Sequence, residues 1–305
     1  MSGGVADAPF ADAPCSEAPV VDSPWRWAVF VALGLWLGVA AAVAPLACHL
    51  ASVGLFLLGV SHGAVERVTD AGGRSRRRRP TARYTVAYLI VGAGVFAVWQ
   101  VAPVAALAVF LGLSALHFGL AEPRLRLAGL WVVTGSLLFH TEATLDVFKA
   151  LVYLPLSEWA GPARGLGAGV GAAMLVEGIA RGRLPYALLL IGAFWALPPV
   201  PAVALYFFAV HALDEWMAAH GEAGSLRAQA RLYLPFALPA TLGGGVAVLA
   251  VLSGWVSLPV AAGLGIAAVV PHMIPLDAWL ALKRARPRRM LQTRKSVPPA
   301  GAPAH

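Results

Sequence analysis

Three apolar segments of the chain end in a histidine that a carboxylate follows within about one helical turn. The pairs are His62 with Glu66, His117 with Glu122, and His211 with Glu215. Residues i and i+4 lie on one face of an α-helix, so the two side chains of the first and third pairs share a direction. The second pair is spaced by five residues, so it fits less well unless the helix ends before the carboxylate. Ionisable side chains in such apolar helices are costly, so by default they indicate function.

Histidines that converge inside a helical bundle are suited to a transition metal. Neutral imidazoles bind iron, copper and zinc, and the spacing alone does not choose among these metals. The carboxylates either bind the metal directly or fix a histidine tautomer by hydrogen bonding. The alternative is that each histidine makes one hydrogen bond between helices, as polar residues in membrane helices do. Because three histidines have parallel placement, we favour the metal site.

The other five histidines have less parallel positions. His220 lies in a polar loop and His305 ends the chain, so both are expected to be solvated. His49 is expected to pack against a carbonyl group. His140 and His272 each end or interrupt an apolar segment, which makes them candidates for the same constellation.

The elements that carry these histidines are predicted to be membrane helices. The chain is 59% hydrophobic and only 12% charged, whereas soluble domains carry about 25% charged residues. The net charge of +8 comes from short basic clusters between apolar runs, where such clusters set membrane orientation. We therefore do not expect a nucleic-acid partner. Cys15 and Cys48 lie in unrelated segments, so neither a disulfide framework nor a metal knuckle is predicted.

The apolar runs predict an all-α, polytopic transmembrane helical bundle of about eight to ten spans. Residues 1–24 contain no Lys or Arg and are expected to be a disordered tail, without the basic start of a signal peptide. The transmembrane domain is expected over residues 25–283, followed by a basic disordered tail at 284–305. Five prolines are expected near span boundaries: Pro45, Pro103, Pro201, Pro235 and Pro259.

The arginines predict the orientation of the bundle. Residues 67–83 contain seven arginines, and short basic loops stay on the cytoplasmic side, where anionic lipid headgroups are their expected contact. The same rule applies to the shorter loops that contain Arg124 and Arg181. We therefore expect a multi-pass protein of the cell membrane with both termini cytoplasmic. Three histidines then lie at similar depth near the cytoplasmic ends of their helices: His62, His117 and His211.

Two segments differ from simple spans. Residues 143–160 include Asp146 and Lys149, and they predict either an amphipathic helix at the interface or the tail of a long helix. Residues 161–180 are rich in glycine and alanine, which suits close helix packing. Glu177, near the end of this segment, is expected to be interfacial.

Four motifs occur in a fixed order: Ser61-His62-Gly63-Ala64-Val65-Glu66, His117-Phe118-Gly119-Leu120-Ala121-Glu122, His211-Ala212-Leu213-Asp214-Glu215 and Pro271-His272-Met273. They resemble the Pro-His-Gly-x-x-Asp-like, His-Phe-Gly-x-x-acid, His-x-x-x-His and Pro-His-Met motifs of the Brp/Blh family of integral-membrane β-carotene dioxygenases. The resemblance extends over roughly residues 55 to 280 and is carried by the four motifs together.

The resemblance implies an activity and a site. Members of the family cleave β-carotene at its central double bond with O2, giving two molecules of retinal, and are taken to use ferrous iron, Fe(2+). Carried over by position, the metal ligands and catalytic residues are His62, His117, His211 and Glu215, with Glu66, Glu122 and His272 as supporting residues around them. The implied partners are a lipophilic carotenoid from the bilayer, O2 and membrane lipids, with a functional link to a retinal-binding rhodopsin.

The chain departs from the family pattern at three positions. Glu215 stands where the family has a second histidine, Ser61 replaces the usual proline, and Glu66 replaces aspartate. Three histidines and one carboxylate still suit iron, because imidazole nitrogen and carboxylate oxygen are both good iron ligands.

Two other functions stay open on the sequence. One is a related membrane oxygenase that acts on another carotenoid. The other is a non-catalytic carotenoid or retinal carrier, or a transporter, although transporters often show inverted repeats and none is visible here. Aromatic residues near the motifs either line a polyene slot or provide ordinary packing bulk: Phe118, Trp131, Phe139, Tyr206, Phe207, Phe208 and Trp216.

Overall fold

The computed structural model describes residues 24–60, 82–153, 156–214, 216–217 and 225–274. These residues are almost entirely helical and contain no strand, so the predicted all-α fold is confirmed. The helices are α1 (Pro24–Val43), α2 (Pro45–Val60), α3 (Ala82–Val101), α4 (Pro103–Ala121), α5 (Ala128–Phe139), α6 (Thr141–Val152), α7 (Ala160–Ala180), α8 (Leu184–Ala196), α9 (Pro199–Tyr206), α10 (Leu226–Leu252) and α11 (Leu258–Met273). A 3₁₀ turn (Ser157–Trp159) precedes α7, and a π-helical segment (Phe207–Ala212) continues α9.

Prolines mark most of the helix starts, as expected. Pro45 and Pro103 are the first residues of α2 and α4, and Pro259 is the second residue of α11. Proline is tolerated in the first helical turn because its missing N–H has no intrahelical partner there. The boundary expected near Pro235 is wrong, since α10 runs through it from Leu226. Membrane helices tolerate interior prolines where neighbouring groups satisfy the freed backbone.

The exterior of the bundle is apolar. Among the described residues, three helices are long and apolar enough to cross a bilayer, Trp25–Val43, Arg83–Val101 and Pro103–Ala121, and six shorter apolar helices accompany them. Large apolar side chains such as Leu35, Leu89 and Leu120 are exposed on the outside of these helices. A bilayer solvates a surface of this kind, which water does not.

The less apolar segment after α5 forms a separate amphipathic helix. His140 alone separates α5 from α6, so the segment is not the tail of a long helix. Thr144, Leu145 and Val152 are buried on one side of α6, whereas Asp146 and Lys149 are exposed on the other. Val152 packs in a cluster of buried apolar residues from α3, α4 and α11: Trp99, Ala106, Leu107, Ile266 and Val270.

Glycines allow the close packing that the composition of residues 161–180 predicts. A Cβ atom on Gly167 of α7 would lie 2.8 Å from the backbone nitrogen of Leu138, and one on Gly171 would lie 2.8 Å from the ring of Trp131. The two side chains are therefore absent because α5 occupies their space. At the other crossing of α5, a Cβ on Gly129 would lie 2.7 Å from the Cα of Gly119 in α4.

Glu177 does more than face the interface. Its two carboxylate oxygens accept hydrogen bonds from the backbone N–H groups of Arg126, at 3.0 Å, and Leu127, at 2.9 Å. It also pairs with Arg181 at 2.8 Å. This carboxylate therefore joins the loop before α5 to the end of α7.

Candidate functional site

Two of the histidines predicted as ligands meet inside the bundle. The Nε2 atoms of His117, near the end of α4, and His211, in the π-helical segment, are 3.2 Å apart. Their ring centroids are 5.0 Å apart, and the rings are close to perpendicular at 76°. His211 is buried. The nitrogens that would bind a metal therefore face one another at a partly buried position.

The π-helical segment places His211 in this position. The N–H of Leu213 donates to the carbonyl oxygen of Phe208, five residues earlier, instead of four as in an α-helix. Such wide turns are rare and occur frequently at functional sites. The sequence prediction assumed a regular α-helix from His211 to Glu215, and Glu215 lies outside the described residues.

A third histidine lies next to the pair. The ring of His272, at the end of α11, has its centroid 5.3 Å from that of His117, at an interplanar angle of 69°. The structure thus brings together histidines from α4, the π-helical segment and α11, which are far apart in the sequence. The supporting role of His272 stays a prediction.

The spacing of the pair fits two ligands of one metal ion. Imidazole nitrogens bind first-row transition metals at about 2.1 Å, so two of them at neighbouring coordination positions are roughly 3.0–3.4 Å apart. The observed 3.2 Å falls in that range, and it also permits a hydrogen bond between two neutral rings. No cluster of three or more His, Cys, Asp or Glu suited to a metal occurs within the described part of the chain. His62, Glu66 and Glu215 lie outside that part.

Aromatic rings surround His211. The ring of Phe118 meets it edge to face, with centroids 4.9 Å apart. Phe207 stacks on it at 6.0 Å and 26°, and Phe56 contacts Phe207 in turn at 5.7 Å. A Cβ atom at Gly59 would overlap the ring of Phe207, so glycine at this position leaves the space that the ring occupies. Trp131 and Tyr206 are fully buried in the core, which is the packing role considered for them.

Glu122 is held at the end of α4 by defined partners. The helix ends at Ala121, before Glu122. The five-residue spacing from His117 is therefore compatible with a supporting role for this carboxylate. One carboxylate oxygen accepts from the backbone N–H and the guanidinium of Arg124, at 2.9 and 3.1 Å. The other accepts from the hydroxyl of Tyr186 at 2.8 Å. Whether Glu122 supports a metal ligand stays a prediction.

Arg124 is the residue that the sequence interpretation missed. The loop pattern predicts only a role in membrane orientation for it, yet its side chain is 2% exposed. Its guanidinium lies 5.3 Å from the ring centroid of Trp27 and 5.6 Å from that of Tyr186. The sequence shows only that a carboxylate, Glu122, stands two residues before it; the structure shows that this carboxylate is buried, and a buried charge requires a partner.

The remaining histidines have separate roles. His49 binds the carbonyl oxygen of Pro45 at 2.7 Å, which confirms the expected packing against a carbonyl. His140 joins the α5–α6 connection to α8 through the carbonyl oxygen of Trp195, at 3.1 Å. This is the hydrogen bond between helices that was the alternative for each histidine. His220 and His305 lie outside the described residues.

Comparison with known proteins identifies the family. A family model described as beta-carotene 15,15'-dioxygenase matches residues 53–280. No curated protein and no solved structure matches the chain. The matched region includes the His117–His211 pair and all four sequence motifs, and together with the apolar helices it indicates a membrane protein with a carotenoid dioxygenase function. The chain belongs to the beta-carotene 15,15'-dioxygenase family.

Proposed function

We propose that the protein is an iron-dependent membrane dioxygenase that cleaves β-carotene at its central double bond. One carbon–carbon double bond and one O2 become two aldehydes, so the products are two molecules of all-trans-retinal. The observation that carries the proposal is the pair of imidazole nitrogens 3.2 Å apart, one on the buried His211, in a chain that belongs to the beta-carotene 15,15'-dioxygenase family.

His117 and His211 would hold the iron together with His62 and Glu215. The donor set of three imidazoles and one carboxylate suits ferrous iron, which supplies O2 activation when it is bound. A metal-ligating histidine usually hydrogen-bonds through its other ring nitrogen, which fixes the tautomer. The proposed supporting residues are His272 beside His117, Glu122 after the end of α4, and Glu66.

The aromatic residues around His211 orient an apolar substrate. Phe118 meets its ring edge to face and Phe207 stacks on it, and we propose that they present the apolar surface against which a polyene lies. His211 and Phe118 are both buried, which favours exclusion of water from this side of the pair. β-Carotene has no useful concentration in water, so we propose that it enters from the bilayer and that retinal leaves by the same route toward a retinal-binding rhodopsin.

Expression in a bacterial host that accumulates β-carotene tests the proposal. We expect the host to lose its carotene colour and the extract to contain retinal, and the purified protein to contain iron. Iron-free protein that retains carotenoid without cleaving it would instead support a carrier. Cleavage of a different carotenoid in hosts that accumulate other pigments would support the related oxygenase.

Substitution of Glu215 tests its role as a ligand. Glu215→His restores the donor type of the family, so we expect it to keep iron and to keep or raise retinal yield. Glu215→Gln should weaken both because it removes the charge, and Glu215→Ala should weaken them further. Iron content and retinal yield measure the effect. Unchanged retinal yield in Glu215→Ala would remove Glu215 from the site, since an exposed ion pair in the headgroups contributes little.

The proposed orientation is tested by reporter fusions. We propose that both termini and the arginine-rich loop are cytoplasmic, because short basic loops are retained there. Fusions after residues 79 and 290 should therefore give a cytoplasmic signal. A periplasmic signal from either fusion would overturn the orientation.

A further inference from the structure

Four charged side chains meet close to the histidine pair. The guanidinium Nη1 of Arg124 lies 3.1 Å from Oε1 of Glu122 and 3.5 Å from Oδ2 of Asp214. Asp214 also pairs with Arg26 of α1. We call this set, Arg26, Glu122, Arg124 and Asp214, the Arg124 network.

The network connects the two elements that carry the histidines. Glu122 follows His117 by five residues, at the end of α4, and Asp214 follows His211 by three, just after the π-helical segment. Because Arg124 contacts both carboxylates, it ties the two segments together close to both histidines. Arg26 ties the same point to α1.

Burying these four charges costs free energy, which indicates that the network sets the arrangement of the helices around the histidine pair. Two cations and two anions balance in charge, and Glu122 and Arg124 are almost completely buried. Replacement of such a network by apolar residues is often neutral or stabilising, so stability alone does not explain its presence. A buried network in which each charge lies against an opposite charge can fix one arrangement of the elements that it joins.

The guanidinium is itself held in one orientation. The rings of Trp27 and Tyr186 lie within 5.6 Å of it, and the Tyr186 hydroxyl donates to the carboxylate that Arg124 binds. The planar guanidinium stacks on aromatic faces and binds carboxylates in a fixed geometry, which a lysine ammonium does not do.

We propose that Arg124 is a positioning residue, which sets the distance between His117 and His211 by joining Glu122 to Asp214. The inference rests on the proposed function, because the pair of imidazoles matters for catalysis only if it holds iron. It predicts that loss of Arg124 moves the two nitrogens apart, although Arg124 is not one of the proposed metal ligands.

The test compares three variants with the parent, purified in detergent. Arg124→Met/Glu122→Gln removes one positive and one negative charge, so it leaves the Arg26–Asp214 pair balanced. Arg124→Lys keeps the charge and loses the planar group. Arg164→Met is the matched control, because Arg164 donates to the hydroxyl of Thr141, after the far end of α5, and takes no part in the network. Thermal stability, Co(II) affinity, kcat and KM are measured for each.

We expect the double variant to keep a melting temperature close to that of the parent and to bind Co(II) about 10- to 100-fold more weakly, the range typical for residues that orient a metal ligand. Its kcat should fall by a similar factor with little change in KM, since Phe118 and Phe207 remain. Arg124→Lys should be intermediate, and Arg164→Met should match the parent. Parental Co(II) affinity and kcat in the folded double variant would overturn the proposal.

A comparison of experimental structures tests the role of the network even if the protein binds no metal. If the parent binds no Co(II) and forms no retinal, the proposed function is wrong, and the Nε2–Nε2 distance in structures of the parent and Arg124→Lys decides the network's role. A larger distance in the variant supports it, and an unchanged distance overturns it. The same comparison decides the question if the double variant does not fold.

Discussion

His117→Ala and His211→Ala are expected to abolish retinal formation. Each removes one of two nitrogens that face each other at 3.2 Å, so the iron loses a direct ligand. We expect retinal yield to fall by more than about a hundredfold, beyond the range seen for residues that only support a ligand. Iron content of the purified protein should fall with it, and His62→Ala should behave in the same way. Pigment extraction and metal analysis measure both effects.

His49→Ala and His140→Ala are the matched controls for these substitutions. Both rings bind backbone carbonyl oxygens, so their loss should leave iron and cleavage at the parental level. If His117 and His211 only join helices, their loss should cost on the order of 0.6 kcal/mol of stability and leave the activity intact. Full iron content in the His62, His117 and His211 variants would therefore reject the metal site.

Gly129→Ala is expected to prevent correct assembly of the bundle. Its new methyl group would overlap the carbonyl of Ala115 and the backbone of Gly119, both in the helix that carries His117. Overpacking typically costs about 1–3 kcal/mol, and a backbone obstacle cannot rotate away as a side chain can. We therefore expect little monodisperse protein after detergent extraction and a large drop in melting temperature.

Gly112→Ala is the control for this substitution. Gly112 lies in the same helix as Gly119, and a Cβ there would meet nothing within 4 Å. Alanine is favoured over glycine in a helix interior by about 0.5–1 kcal/mol, so this variant should be at least as stable as the parent. A Gly129→Ala variant with parental yield and melting temperature would show that α4 and α5 can separate without cost.

Much of the fold could be predicted from the sequence. Apolar runs interrupted by Pro45 and Pro103 predict helices directly, because hydropathy and proline act locally. The parallel placement of His117 and His211 at the ends of two such runs predicted that they could meet, and the structure brings them together. Their role as ligands stays a prediction, and the proposed partners His62 and Glu215 lie outside the described residues.

Other features could not be predicted because they depend on partners distant in the chain. The arginine pattern gives the side of the membrane on which a loop lies, but not that Arg124 turns inward between Trp27 and Tyr186. Glu177 is predicted to be interfacial from its position near the end of a segment. The sequence does not reveal its contacts, because the two N–H groups that it binds belong to the loop before α5, about fifty residues earlier. No sequence pattern predicts the π-helical segment, because it differs from an α-helix only in the carbonyl oxygen that each N–H group binds.

The π-helical segment also affects how related chains are compared. A π turn accommodates one residue more than an α turn, so Phe207–Ala212 is equivalent to a single-residue insertion within a continuous helix. A relative that lacks this residue would need a one-position gap inside the helix to keep Asp214 aligned with its counterpart. An alignment that forbids gaps in helices would shift each residue after the segment by one position, about 100° around the helix axis. Such an alignment would then assign Asp214, the carboxylate three residues after His211, to the wrong face of the helix.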